Sequence, residues 1–168
     1  ALGLAFFRFD HRGCGESAGR LEAVTSLEGR ASDLLHAIRL LESRPGLGKR
    51  IGLFGSSMGG AVCLRVAGER QVAAVVTFAA PVRSLPLKRP GRGSEASLEG
   101  RRMASVLREE FELGGHLGRV RNILVVHGEA DNVVPLTHAH EIVDHAGEPK
   151  RLLVQKGGDH IMSAAAHQ

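Results

Sequence analysis

The stretch Ile51-Gly52-Leu53-Phe54-Gly55-Ser56-Ser57-Met58-Gly59-Gly60 runs from a short apolar segment into G-x-S-x-G and on into Ala61-Val62-Cys63-Leu64. The pattern predicts a strand over Arg50–Phe54, a tight turn over Gly55–Gly60 and a helix over Ala61–Glu69. Such a turn lifts its central serine above the sheet. Side chains at Gly55 and Gly59 would collide with the neighbouring strand and helix. The helix N-terminus then faces the serine, and the Met58 N–H can donate to an oxygen that gains negative charge there. Ser56 is the competing hydroxyl, but the central place between the glycines falls to Ser57.

Working outward, apolar runs at 2–9, 72–78, 123–126 and 152–154 predict further buried strands. Apolar residues at 27, 31, 34, 35, 38 and 41 follow a helical period, and Pro45-Gly46 stops that helix. A second periodic stretch covers Thr137–His145. Alternating strands and helices predict an α/β fold, with a mostly parallel sheet flanked by helices on both sides. In such sheets functional residues gather at the carboxyl ends of the strands. Residues 82–121 depart from the pattern. They open basic and glycine-rich (Lys88-Arg89-Pro90-Gly91-Arg92-Gly93) and continue with a helical part at 97–111. They are too few for a second domain and predict a surface excursion or minimal lid on a single domain spanning 1–168.

The chain has 168 residues, 43% hydrophobic and 24% charged, which suits one globular core rather than a disordered segment. A formal charge of +4 fits a nucleic-acid binder in sign only. The basic residues are scattered, and six Phe without Trp or Tyr leave little for base stacking, so no nucleic-acid partner is expected. Two cysteines, Cys14 and Cys63, are too few for a disulfide framework or a cysteine-based zinc site; they predict free thiols and a cytoplasmic setting. No apolar run is long enough for a membrane span, and none reads as a signal peptide. The chain starts without Met inside an apolar segment, which predicts an N-terminally truncated domain.

A serine nucleophile needs a base, and the base an orienting acid. Two strand-end loops supply them: His127-Gly128-Glu129-Ala130-Asp131 after the strand at 123–126, and Gly157-Gly158-Asp159-His160 after the strand at 152–154. The order Ser57, Asp131, His160 is the one such sheets use. Among nine histidines, His160 stands out for its glycine-rich turn beyond the last strand. His36, His138, His140 and His145 fall on helices and are expected at the surface. His127 ends a strand and is expected to pack and prop the acid loop. Glu129 is the next candidate for the acid and Asp159 a weaker one, since a residue rarely reaches the Nδ1 of its sequence neighbour. No tightly spaced histidine pair has a supporting acid, so no metal is expected. Neither a P-loop nor a dinucleotide fingerprint is present, so no cofactor is implied.

Phe9-Asp10-His11-Arg12-Gly13-Cys14-Gly15-Glu16-Ser17, Gly55–Gly59, His127–Asp131 and Gly158–His160 together resemble the α/β-hydrolase superfamily, in its compact, cap-poor serine-hydrolase branch. The resemblance spans nearly the whole chain. It implies a triad of Ser57, Asp131 and His160, and a loop at Asp10–Ser17 that shapes the site without performing chemistry. It also implies that Leu4–Phe9 is the fourth strand of the family sheet, that strands one to three are absent, and that the second oxyanion donor lies in a segment before Ala1. With strand three missing, no ladder is expected between Leu4–Phe9 and Arg50–Phe54. The expected activity is hydrolysis of carboxylic esters, extending to thioesters or small amides, through an acyl-enzyme and on a small-molecule acyl substrate. The alternatives are a serine peptidase of the same fold and a non-catalytic binding module.

Overall fold

The first helix, α1 (Leu27–Ser43), begins where Ser26 can cap it: the Ser26 side chain accepts a hydrogen bond from Gly29 N at 2.8 Å. It buries Leu27, Ala31 and Ile38 on one face and ends at Arg44, whose extended backbone suits a residue before proline. Further on, apolar runs form strands β1 (Gly52–Ser56), β2 (Ala74–Phe78), β3 (Ile123–Gly128) and β4 (Lys150–Gln155). Between them lie α2 (Met58–Ala67), α3 (Gly114–Leu117) and α4 (Thr137–His145). This computed structural model describes residues 3–20, 26–84 and 110–163.

The strands pair in the order β1-β2-β3-β4, each pair parallel. All four carboxyl ends therefore reach the same edge of the sheet. Side chains alternate across the pleat, and one set, Leu53, Val75, Ile123 and Val125, joins Leu27 and Ile38 of α1, Leu64 of α2, Leu117 of α3 and Ile142 of α4 in a single core. The sheet is thus parallel and flanked by helices. The cover is one-sided, however: among the described residues the helices pack against this face, while Phe54 and Leu153 on the other remain 63% and 42% exposed. Continuous apolar strands predicted helices on both sides; the pattern marks two apolar faces but cannot say that both are covered.

Other boundaries move as well. The strand expected at 50–54 is shifted two residues on, the one expected at 72–78 starts two residues later, and those expected at 123–126 and 152–154 are longer at one or both ends. The helix expected from Ala61 starts at Met58, because the turn consumes only Ser57. The strand expected at 2–9 is not formed in its described part. Residues 3–9 belong to no ladder, and Leu4 and Phe6 are 85% and 83% exposed. A strand needs a neighbour to take its backbone hydrogen bonds, and among the described residues none pairs with these. The expected absence of a ladder with β1 accordingly holds.

The excursion at 82–121 is only partly a surface feature. Val82, Leu113, Leu117 and Val120 are fully buried in the core. Its two ends are joined: Ser84 N donates to Phe111 O at 3.0 Å and Leu113 N to Val82 O at 2.8 Å. Arg83 adds ion pairs to Glu112, at 3.0 Å, and to Glu141 of α4. The helix expected at 97–111 lies outside the described residues but for Glu110 and Phe111, which are not helical.

Ile38 and Leu40 test the one-sided core on a single helix. Ile38 is 1% exposed and Leu40 46%. Ile38→Ala should cost about 2–5 kcal/mol and Leu40→Ala within about 0.5 kcal/mol of nothing, measured by chemical denaturation; equal losses would place α1 wrongly on the sheet.

Candidate active site

The turn between β1 and α2 forces Ser57 to φ 51 and ψ −123, a region that L-residues rarely occupy. The surroundings hold it there. Ser57 N donates to Phe78 O at 2.7 Å, and Ser57 O accepts from Gly60 N at 2.9 Å and Ala61 N at 3.2 Å. A Cβ at Gly55 would lie 2.2 Å from Gly59 O, and one at Gly60 2.5 Å from the Ala80 Cβ. A Cβ at Gly59 would meet nothing within 4 Å. The steric requirement therefore falls on Gly55 and Gly60, and the one expected at Gly59 is not found, because Gly60 rather than Gly59 is the residue of α2 that faces the end of β2. Met58 is the first residue of α2, so its N–H has no intrahelical acceptor and is free to face a ligand at the helix N-terminus.

The three strand-end residues meet. His160 Nε2 lies 3.0 Å from Ser57 Oγ, and His160 Nδ1 lies 2.8 Å from Asp131 Oδ2. A carboxylate can only accept, so Nδ1 carries the proton and Nε2 is left bare to accept the Ser57 hydroxyl hydrogen. The Asp131 side chain is fully buried, while that of His160 keeps 18% exposure. A buried carboxylate needs donors, and Asp131 Oδ1 has two in Val133 N and Val134 N, both at 2.9 Å. Ser56 is the exposed last residue of β1, and the contact with His160 is made by Ser57.

Both alternative acids have other tasks. Glu129 Oε2 accepts Gly157 N at 3.0 Å, tying the acid loop to the histidine loop. Glu129 N to Gln155 O (2.9 Å) and Ala130 N to Gly158 O (2.8 Å) complete that seam. Asp159 Oδ1 accepts Ile161 N at 3.2 Å and Ser163 N at 2.8 Å, which fixes the turn around His160. Upstream, the Asp10–Ser17 loop is anchored to α1: Arg12 N and Nε donate to the Asp33 carboxylate at 3.0 and 2.6 Å. Burial holds the His11 imidazole beside it below its ordinary value, with Arg30 adding to the shift and Asp33 opposing it.

His36, His140 and His145 are exposed, as their helical positions predict. His138 is not: it is 5% exposed, and its Nδ1 accepts Val82 N at 3.1 Å. Burial, reinforced by Arg83, pushes its imidazole below the ordinary range. The signal was available, since positions 138, 139 and 142 share the buried face of α4. Cys63 lies in α2, where burial pushes its thiol up to about 12, so it offers no thiolate. Among the described residues, no group of three or more His, Cys, Asp or Glu side chains could hold a metal ion.

A parallel sheet with a serine elbow, an acid loop and a histidine loop at one edge defines an α/β hydrolase fold. The chain belongs to the serine aminopeptidase S33 family, whose model matches residues 1–109. It is 33% identical over 164 residues to the uncharacterized protein YfhR of Escherichia coli K12, covering 92% of this chain and 52% of that protein. The chain thus spans about half the length of such relatives. Among solved structures, an alpha-beta serine hydrolase homologue from Coxiella burnetii is 27% identical with a TM-score of 0.59, covering 89% of this chain and 58% of that one. A lipase-esterase related protein from Clostridium acetobutylicum has a TM-score of 0.70 at 16% identity, covering 94% and 77%, and shares the fold.

The two adjacent glycines of α2 give a direct test. Gly59→Ala should leave stability unchanged or raise it by up to about 1 kcal/mol, since alanine favours the helix and space is open. Gly60→Ala should cost about 1–3 kcal/mol through overpacking against Ala80. Urea denaturation would check both, and the reverse order would refute the packing described here.

Proposed function

We propose that the protein is a serine hydrolase that cleaves carboxylic esters of small acyl substrates through an acyl-enzyme, with Ser57, His160 and Asp131 as its triad. The observation that carries this reading is the continuous contact from Ser57 Oγ through His160 to Asp131, at 3.0 and 2.8 Å. Ser57 Oγ attacks the carbonyl carbon as His160 Nε2 takes its proton. Asp131 holds the Nδ1 proton and so keeps Nε2 as the base. The negative charge on the carbonyl oxygen meets the Met58 N–H at the start of α2. His160 Nε2–H then protonates the departing alcohol, and water deacylates Ser57 by the same route. No cofactor enters these steps.

Extension to thioesters or small amides asks nothing new of the triad. A peptidase reading is favoured by the family description, and it uses the same residues on an amide. Both cysteines are free thiols, which supports a reducing, cytoplasmic setting. Among the described residues no helix is long and apolar enough to cross a membrane.

In the full-length protein, Ser57→Ala should lower p-nitrophenyl butyrate hydrolysis by about 10⁴-fold or more and end labelling by a fluorophosphonate. Asp131→Asn should cost about 10⁴-fold in kcat. Ser56→Ala should keep most of the activity. Wild-type turnover in Ser57→Ala would exclude the mechanism, and faster cleavage of aminoacyl p-nitroanilides than of esters by the wild type would select the peptidase.

A further inference from the structure

His127 occupies the covered face of β3 behind the acid loop, and its side chain is fully buried. The residues before it on that face, Ile123 and Val125, are apolar. Nε2 lies 2.9 Å from Val134 O. A carbonyl only accepts, so Nε2 carries the proton and Nδ1 is a bare acceptor. Among the described residues Nδ1 has no hydrogen-bond partner. A leucine here would avoid the loss of hydration at Nδ1, so packing alone does not account for the imidazole.

The ring edge lies against the triad. The same Nε2 approaches Asp131 Oδ2 at 3.4 Å, the oxygen that accepts the proton of His160 Nδ1. Val134, whose carbonyl it holds, supplies with Val133 the two N–H groups that grip Asp131 Oδ1. One N–H therefore secures the backbone that clamps one carboxylate oxygen, and the nitrogen that carries it lies 3.4 Å from the other.

We propose that His127 is a positioning residue of the triad, which acts through Asp131 by fixing the 128–134 loop through the Nε2–H bond to Val134 O. This rests on the triad reading above. The hold counts most when His160 takes the serine proton, because the Asp131 carboxylate must then stay in line with His160 Nδ1. Loss of His127 should therefore fall on turnover rather than on substrate binding, because small misplacements at a distance from the reacting atoms cost rate.

The test compares His127→Leu, which removes the donor, with His127→Gln, whose amide nitrogen can reach the place of Nε2. In the full-length protein, His127→Leu should lose about tenfold to a hundredfold in kcat with KM within about twofold. His127→Gln should recover most of that loss, with both variants checked for native circular dichroism. A folded His127→Leu at wild-type turnover would overturn the proposal, as would a folded His127→Gln as slow as His127→Leu. Nitrogen-15 NMR of wild-type histidine side chains tests it without any variant: the His127 proton should sit on Nε2, and a proton on Nδ1 would overturn it. Fluorophosphonate labelling separates the two levels. A wild type that fails to label removes the triad reading itself, whereas a wild type and a folded His127→Leu that label equally fast remove only the role of His127.

Discussion

A hydrogen bond from Ser57 N to Phe78 O, 2.7 Å long, continues the β1–β2 ladder one step beyond the last paired residues, Ser56 and Phe78. The rest of the site depends on it. It allows the chain to leave the sheet and enter α2 within one residue, at a backbone geometry that costs on the order of 1–3 kcal/mol. The core supplies that stabilisation. α2 is wedged against β1, β2 and α1, with Ala61, Val62 and Leu64 almost fully buried, so the helix cannot retreat to relax Ser57. Parallel pairing across β2 and β3 then brings the acid and histidine loops to the edge where the serine waits.

The seam between those loops depends on close backbone approach. A Cβ at Gly128 would lie 2.3 Å from Gly158 O. The absence of a side chain there lets the Glu129 and Ala130 amides reach the Gln155 carbonyl at the end of β4 and the Gly158 carbonyl of the histidine loop. Asp131 and His160 thus stand on loops braced by each other as well as by the sheet. At the periphery, Arg65 of α2 binds Glu28 of α1 at 2.7 Å and also pairs with Glu69. Glu28 and Glu69 lie largely in solvent, so such pairs align helices more than they stabilise them.

The most legible parts of the molecule were the turn that carries Ser57 and the order of the loops beyond the strand ends. G-x-S-x-G after an apolar run and before a helical one leaves little freedom to the chain, and the order of Ser57, Asp131 and His160 at successive strand ends follows from the topology. What escaped the sequence were properties of neighbours. Leu4–Phe9 is apolar enough for a strand, but pairing needs a partner that composition does not reveal. His138 read as a surface histidine because its polarity outweighed its place on the Ala139–Ile142 face of α4. Gly59 and Gly60 are equivalent in sequence, and only the position of Ala80 shows which must lack a side chain. Val82 and Leu113 were hidden by the basic, glycine-rich residues between them, although both belong to the core.

The joined ends of that same segment have an evolutionary meaning. The chain leaves the sheet beyond β2 and rejoins the core through the hydrogen bonds between Val82–Ser84 and Phe111–Leu113, with Arg83 and Glu112 paired alongside. Closure at that junction is made by groups outside the intervening residues, and the entropy of closing a loop grows only slowly with its length. The junction lies on the same sheet edge as Ser57. Insertions, deletions or wholesale replacement of the intervening sequence can therefore accumulate at small cost to the scaffold, so that this stretch can diverge in length and composition while the sheet edge that carries Ser57 stays in place.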